Sequence, residues 1–184
     1  MHRQSRTKLR GILVIAIALM AFMGTSTNAQ DVATGSATAT LVVALTVTAT
    51  SALAFGTVYQ GVAKTVPNTD ANAGVFNVTG LEDAVLAIYF QLPDYLATAT
   101  GDDRMVISFS STDLNVDTTA ANDPTGFVAA NGWIDEDPHN VTSAADIGSG
   151  GLDMYLGGQV IPSVDQTAGA YTGDIILTVA YTGS

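Results

Sequence analysis

The side chains able to do chemistry are few and unevenly placed. Cysteine is absent, and beyond residue 29 the only histidine is His139, in "DEDPHN". Cys/His nucleophilic catalysis and multi-histidine metal sites are therefore excluded. A Ser-His-Asp arrangement would have to run through His139, yet no nucleophile elbow or other supporting motif accompanies it. Carboxylate pairs suited to glycoside hydrolysis exist in any Asp-rich chain and so select nothing. The sequence predicts no enzyme.

Oxygen ligands are better supplied. Calcium takes several oxygens, and "GWIDEDPHN" offers Asp135, Glu136, Asp137 and Asn140, while "STDLNVD" offers Asp113, Asn115 and Asp117. Neither stretch has the full spacing of an EF-hand loop, and the alternative is that these acids simply solvate a surface. Trp133 beside the first cluster is either a sugar-stacking platform or an aromatic pin holding a loop to the core. Calcium is thus the one cofactor the residues leave open, and an extracellular calcium- or carbohydrate-binding module is one functional reading.

Charge narrows the partners. Residues 1–29 have the layout of a secretory signal: Arg3, Arg6, Lys8 and Arg10 precede an apolar run from Gly11 to Met23, and Thr27-Asn28-Ala29 supplies a small-x-small cleavage site. The apolar run is short for a bilayer span, which needs about 20 residues, so the expectation is cleavage after Ala29 with no permanent membrane anchor. Four of the six basic residues leave with that segment. Lys64 and Arg104 then face seventeen acids, a formal charge of −15. Such a field repels nucleic acid and anionic lipid and favours cations, basic surfaces or a salt-adapted, well hydrated surface. The expected location is outside the cytoplasm of a bacterium: extracellular, at the cell surface or in the periplasm.

The elements that must position these side chains read as strands. "ATATLVVALTVTAT", Ala37 to Thr50, puts an apolar residue at every odd position and mostly threonine at the even ones. Period-two alternation predicts a strand with one face on a core and one in water. The pattern returns in "VLAIYFQL" (Leu86, Ile88, Phe90, Leu92), in "RMVISFS" (Met105, Ile107, Phe109) and from Tyr171 to Tyr181. Pro67-Asn68, Pro93-Asp94, Gly101-Asp102, Asp123-Pro124 and Asp137-Pro138 punctuate the strands with turn chemistry. The fold class predicted is all-β, a single immunoglobulin-like or fimbrial-type antiparallel sandwich. Residues 30–36 form a short polar lead, 37–184 the domain, and 112–151 a long acidic loop excursion from it. With no cysteine, the core must hold without disulfides.

Several spaced elements together resemble a bacterial secreted family catalogued as domain of unknown function 4402. These are the opening strand leading to Phe55-Gly56, the late Gly157-Gly158, and the closing Gly169, Tyr171 and Gly173. The match runs from about Ala37 to Tyr181. The resemblance implies a β-sandwich broadly similar to spore-coat and fimbrial-type proteins, with no assigned activity and no catalytic residues to transfer.

Export, an all-β fold and the lack of a catalytic set lead to a structural or adhesive surface protein, with self-association or other surface proteins as partners. At about 3.3 Å per residue the fourteen-residue opening stretch would span ~46 Å, more than twice an ordinary strand. Either its middle is a buried strand with light extensions along a sheet edge, or its first part leaves the domain and completes a neighbour's sheet, as in a fibre built by strand exchange.

Overall fold

The computed structural model describes residues 33–39, 41, 43–141, 145–148 and 150–182; the expected signal segment lies outside them. Two units divide the chain, Met1–Thr40 and Leu41–Ser184. Within the first, residues 33–39 are exposed and belong to no strand. The second is an all-β antiparallel sandwich.

Its first sheet has the order β1-β3-β10-β7-β8, from strands β1 (Thr46–Ser51), β3 (Gly74–Thr79), β7 (Leu114–Asp117), β8 (Gly132–Glu136) and β10 (Leu152–Leu156). Facing it are two smaller sheets. One is ordered β2-β11-β6-β5, from β2 (Lys64–Val66), β5 (Tyr95–Ala97), β6 (Arg104–Ser108) and β11 (Gly158–Ile161); the other is β12-β4-β9, from β4 (Val85–Gln91), β9 (Ala145–Asp146) and β12 (Ile176–Tyr181). Only a Pro93-containing turn separates β4 from β5, and a bridge between Ala97 and Thr172 carries the β12 side of the pairing onto β5. The two smaller sheets are therefore one interrupted layer.

Alternation sets the burial. Leu86, Ile88 and Phe90 of β4 point inward with exposed residues between them, and Met105 and Ile107 of β6 do the same. From the first sheet Phe76, Val78, Leu114, Val116, Leu152, Met154 and Leu156 meet them, and the Phe76 and Phe90 rings touch edge to face at 5.4 Å across the layers. Each such side chain contributes about 1.5–3 kcal/mol of burial. The chain crosses from the first sheet to the second at Gly157, where an added Cβ would lie 2.7 Å from both Val66 O and Asn68 N. No larger residue fits that crossing.

Three expectations change. The opening strand is six residues long, Thr46–Ser51, and not fourteen; Leu41 is 98% and Val43 59% exposed, and only Leu45 reaches the core. The cause is a missing partner: β3 ends at Thr79, the residue opposite Thr46, so the β1–β3 ladder has no partner residue for the positions just before Thr46. The closing strand likewise starts at Ile176, not Tyr171, although its inward stripe Ile175, Leu177, Val179 and Tyr181 is the expected one. Finally, 112–151 is not one excursion. It contains β7, fully buried in the first sheet, and β8 beside it; residues 118–131 arch out between these paired strands, and after Glu136 the chain leaves the sheet again to form β9 in the other layer.

Candidate functional site: a closed acidic face and an open apolar cleft

The outward face of the first sheet carries a polar row. Asn77, Asp153 and Asp117 are register neighbours on β3, β10 and β7, and Tyr155 follows two residues after Asp153 on the same face. Residues 118–131 fold over this row, with the Phe127 ring edge-on to Tyr155 at 5.9 Å. Asp117, Asp153 and Tyr155 are consequently almost fully buried.

Buried carboxylates need donors. Asp153 accepts from Asn77 Nδ2 at 2.7 Å and from the Asn122 backbone N–H. Asp117 accepts from Thr119 N–H at 2.8 Å, Thr119 Oγ1 at 2.6 Å and Tyr155 OH at 3.1 Å. The Tyr155 oxygen also accepts from Asp123 N–H at 3.2 Å. Burial, followed by the two neighbouring carboxylates, pushes the Tyr155 phenol well above its usual range, so that it stays a donor. Lys64 and Arg104 lie on β2 and β6, in the other layer. Hydrogen bonds and the Phe127–Tyr155 ring contact hold this face, and the bonds tie the covering segment to β7 and β10.

The proposed calcium ligands do not converge. Asp113 caps a turn through Ser110 N–H at 2.7 Å, and Asn115 is buried and accepts from Asp135 N–H at 3.1 Å. Asp137 accepts from the His139 backbone at 2.9 Å and lies 3.1 Å from His139 Nδ1; Asp135 and Asn140 are exposed, and Glu136 ends β8. Among the described residues no three His, Asp or Glu side chains are grouped to hold a metal. His139 lies in a small cleft of about 340 Å³ with Tyr89 and Asp94. Trp133 is on β8 and packs on the core, the pinning arrangement of the two expected for it.

A larger cleft of about 840 Å³ opens between the segment that follows β1 and the segment that precedes β12. Leu53 and Phe55 form one wall, Leu96 and Ile175 the other, and Met105, Ile107 and Val160 the floor. Gly56 turns the first wall with φ +60°, a left-handed conformation that explains the glycine after Phe55. The second wall is fastened by polar contacts: Gln166, buried, donates to Tyr171 OH at 2.9 Å, and Asp103 Oδ2 lies 2.8 Å from Tyr171 OH and 2.9 Å from Thr167 N–H. Bonds from Thr167 and Tyr171 hold the Asp103 carboxyl down at about 2. No Asp, Glu, Lys or Arg lines the cleft.

The strands next along the chain from the two walls, β1 and β12, are sheet edges among the described residues: β1 pairs with β3 and β12 with β4. The period-two stripe puts Tyr171 and Ile175 on the apolar face, but a stripe shows which face is apolar and not whether anything covers it, so the cleft is not legible in it. The polar row was missed too; its signal was the polar residues out of phase with the core stripe in "LDMYL" and "LNVD". No protein-family model, curated protein or solved structure matches this chain.

Proposed function

We propose that this is an exported structural or adhesive surface protein of a bacterium, whose subunits join by strand exchange into a fibre-like or pilus-like assembly. One observation carries the reading. Leu41 and Val43 stand 98% and 59% exposed on a segment without strand pairing, immediately before an edge strand. Large apolar side chains beside unpaired backbone form a surface that strand addition satisfies in one event, hydrogen bonds and side chains together. The absence of a catalytic residue set in the sequence and its resemblance to secreted fimbrial-type sandwiches support the same role.

Size-exclusion chromatography and electron microscopy of the processed protein, beside a variant lacking Asp31 to Thr40, test it. Filaments or oligomer ladders from the parent and a folded monomer from the variant are expected. A variant that assembles like its parent overturns the reading.

A further inference from the structure

We infer that Asp137–Pro138 is a self-cleaving peptide bond, at which the Asp137 carboxylate, helped by His139, opens its own chain. The reaction happens once per molecule and is independent of the assembly reading above.

The turn at residues 137–140 brings three groups onto one amide. Asn140 N–H donates to the Asp137 carbonyl oxygen at 3.0 Å, where negative charge develops when the carbonyl carbon is attacked. His139 N–H holds the Asp137 carboxylate at 2.9 Å, and His139 Nδ1 lies 3.1 Å from the same oxygen. The nitrogen on the far side of the bond belongs to proline and carries no hydrogen, so it must be given a proton to leave. Pro138 is buried, whereas the Asp137 and His139 side chains are 38% and 55% exposed; the leaving side is held and water reaches the other.

The chain contains its own control. At Asp123–Pro124 the proline is again buried, Thr125 N–H donates to the Asp123 carboxylate at 3.0 Å, and Gly126 N–H donates to the Asp123 carbonyl at 3.3 Å. The two turns differ in the side chain after the proline. In the first it is the Thr125 hydroxyl, 2.7 Å from the carboxylate; in the second it is an imidazole. A hydroxyl keeps its proton near neutral pH, while a protonated imidazole can hand one over.

The steps balance with water as the one co-reactant. A carboxylate oxygen of Asp137 forms a bond to its own backbone carbonyl carbon, closing a five-membered anhydride ring. The bond from that carbon to Pro138 nitrogen breaks; its electron pair stays on nitrogen, which takes the His139 proton. Water then opens the anhydride to two carboxylic acids. They lose two protons, one restoring His139 and one completing the charged amine of Pro138. The products are a chain ending at Asp137 and a chain beginning at Pro138.

The nick does not release either piece. β10 stays between β3 and β7, and β12 stays on β4, so pairing across the cut holds the sandwich together.

The test is incubation of the processed protein with protease inhibitors, read by denaturing gel and mass spectrometry. Fragments ending at Asp137 and beginning at Pro138 are expected, while size-exclusion of the native protein is unchanged. The rate should not depend on protein concentration. The titratable groups facing His139 are Asp137 in its turn and Tyr89 and Asp94 across the small cleft, with the Phe109 ring edge-on at 6.4 Å. Cleavage should be faster at about pH 6 than at about pH 8, where histidine gives up its proton. His139→Ala, at an exposed residue, should slow it about 100-fold and flatten that dependence. Asp137→Asn keeps an acceptor for the turn and should abolish it. Hydroxylamine in the buffer should divert the first fragment to a hydroxamate at residue 137. In urea, where both turns are lost, the preference for Asp137–Pro138 over Asp123–Pro124 should vanish. An intact chain overturns the inference, as do equal cutting at the two Asp-Pro bonds of the folded protein, an unchanged rate in His139→Ala, or the absence of hydroxamate.

Discussion

The acidic face and the open cleft solve the same problem in opposite ways. On the outer face of the first sheet the chain covers its own surface: residues 118–131 arch over Asp117, Asp153 and Tyr155, and side-chain and backbone donors meet the buried oxygens. In the cleft the apolar walls stay uncovered, with Leu53, Leu96 and Ile175 only half buried. Polar burial is self-limiting, because each buried oxygen demands a specific donor, whereas an apolar cleft accepts any chain of matching bulk.

Substitutions on the two sides should therefore separate stability from assembly. The largest expected effect is Asp153→Ala, which takes the acceptor from half-buried Asn77 Nδ2 and from Asn122 N–H; at about 1–3 kcal/mol per orphaned group, urea unfolding should show a loss of about 3 kcal/mol. Assembly of the fraction that remains folded should persist. Tyr155→Phe removes the hydroxyl shared by Asp117 and Asp123 N–H and should lower stability by about 1–2 kcal/mol in the same titration. Leu41→Ala, at a residue 98% exposed, should change monomer stability by less than about 0.5 kcal/mol yet weaken assembly measurably by light scattering. A Leu41→Ala change that destabilised the monomer as much as Asp153→Ala would erase the distinction.

Smaller effects sharpen the cleft side. The Asp103 carboxyl titrates at about 2 in the folded chain against an ordinary 3.8, so its support of the 163–171 segment is complete above about pH 4 and lost as pH falls toward 2. Tyrosine fluorescence of Tyr171 should follow that window, and Asp103→Asn should remove it. The smallest effect expected is from calcium. Asp113, Asn115 and Asp137 accept hydrogen bonds from neighbouring backbone, so calcium and chelator at constant ionic strength should give the same melting temperature. A rise with calcium would restore the loop as a metal site.

Legibility in the sequence followed the physics of each signal. The stripes of β4 and β6 were readable because period two reports the two sides of a pleat, and both sides were decided by near neighbours. The same period in "ATATLVVALTVTAT" could not reveal that β3 stops opposite Thr46, since a strand's length is set by its partner and the partner lies elsewhere in the chain. Composition misled over 112–151: "LNVD" looks like loop beside its aspartates, but Asn115 and Asp117 are the outward half of a buried central strand. The cleft depends on which edges go unpaired, which is a property of topology that no local pattern contains.

The place of β10 has a kinetic consequence. It lies between β3 and β7 in the first sheet, yet it follows both by tens of residues in the chain. During synthesis the β1–β3 pair and the β7–β8 pair can form early as separate ribbons, each with one inner edge bare until Leu152–Leu156 arrives to join them. Closure over so long a span makes the joining step slow, and until it happens the chain exposes two more strand edges than the finished molecule does. Substitutions in β10 that slow this joining should therefore be felt first as aggregation during folding.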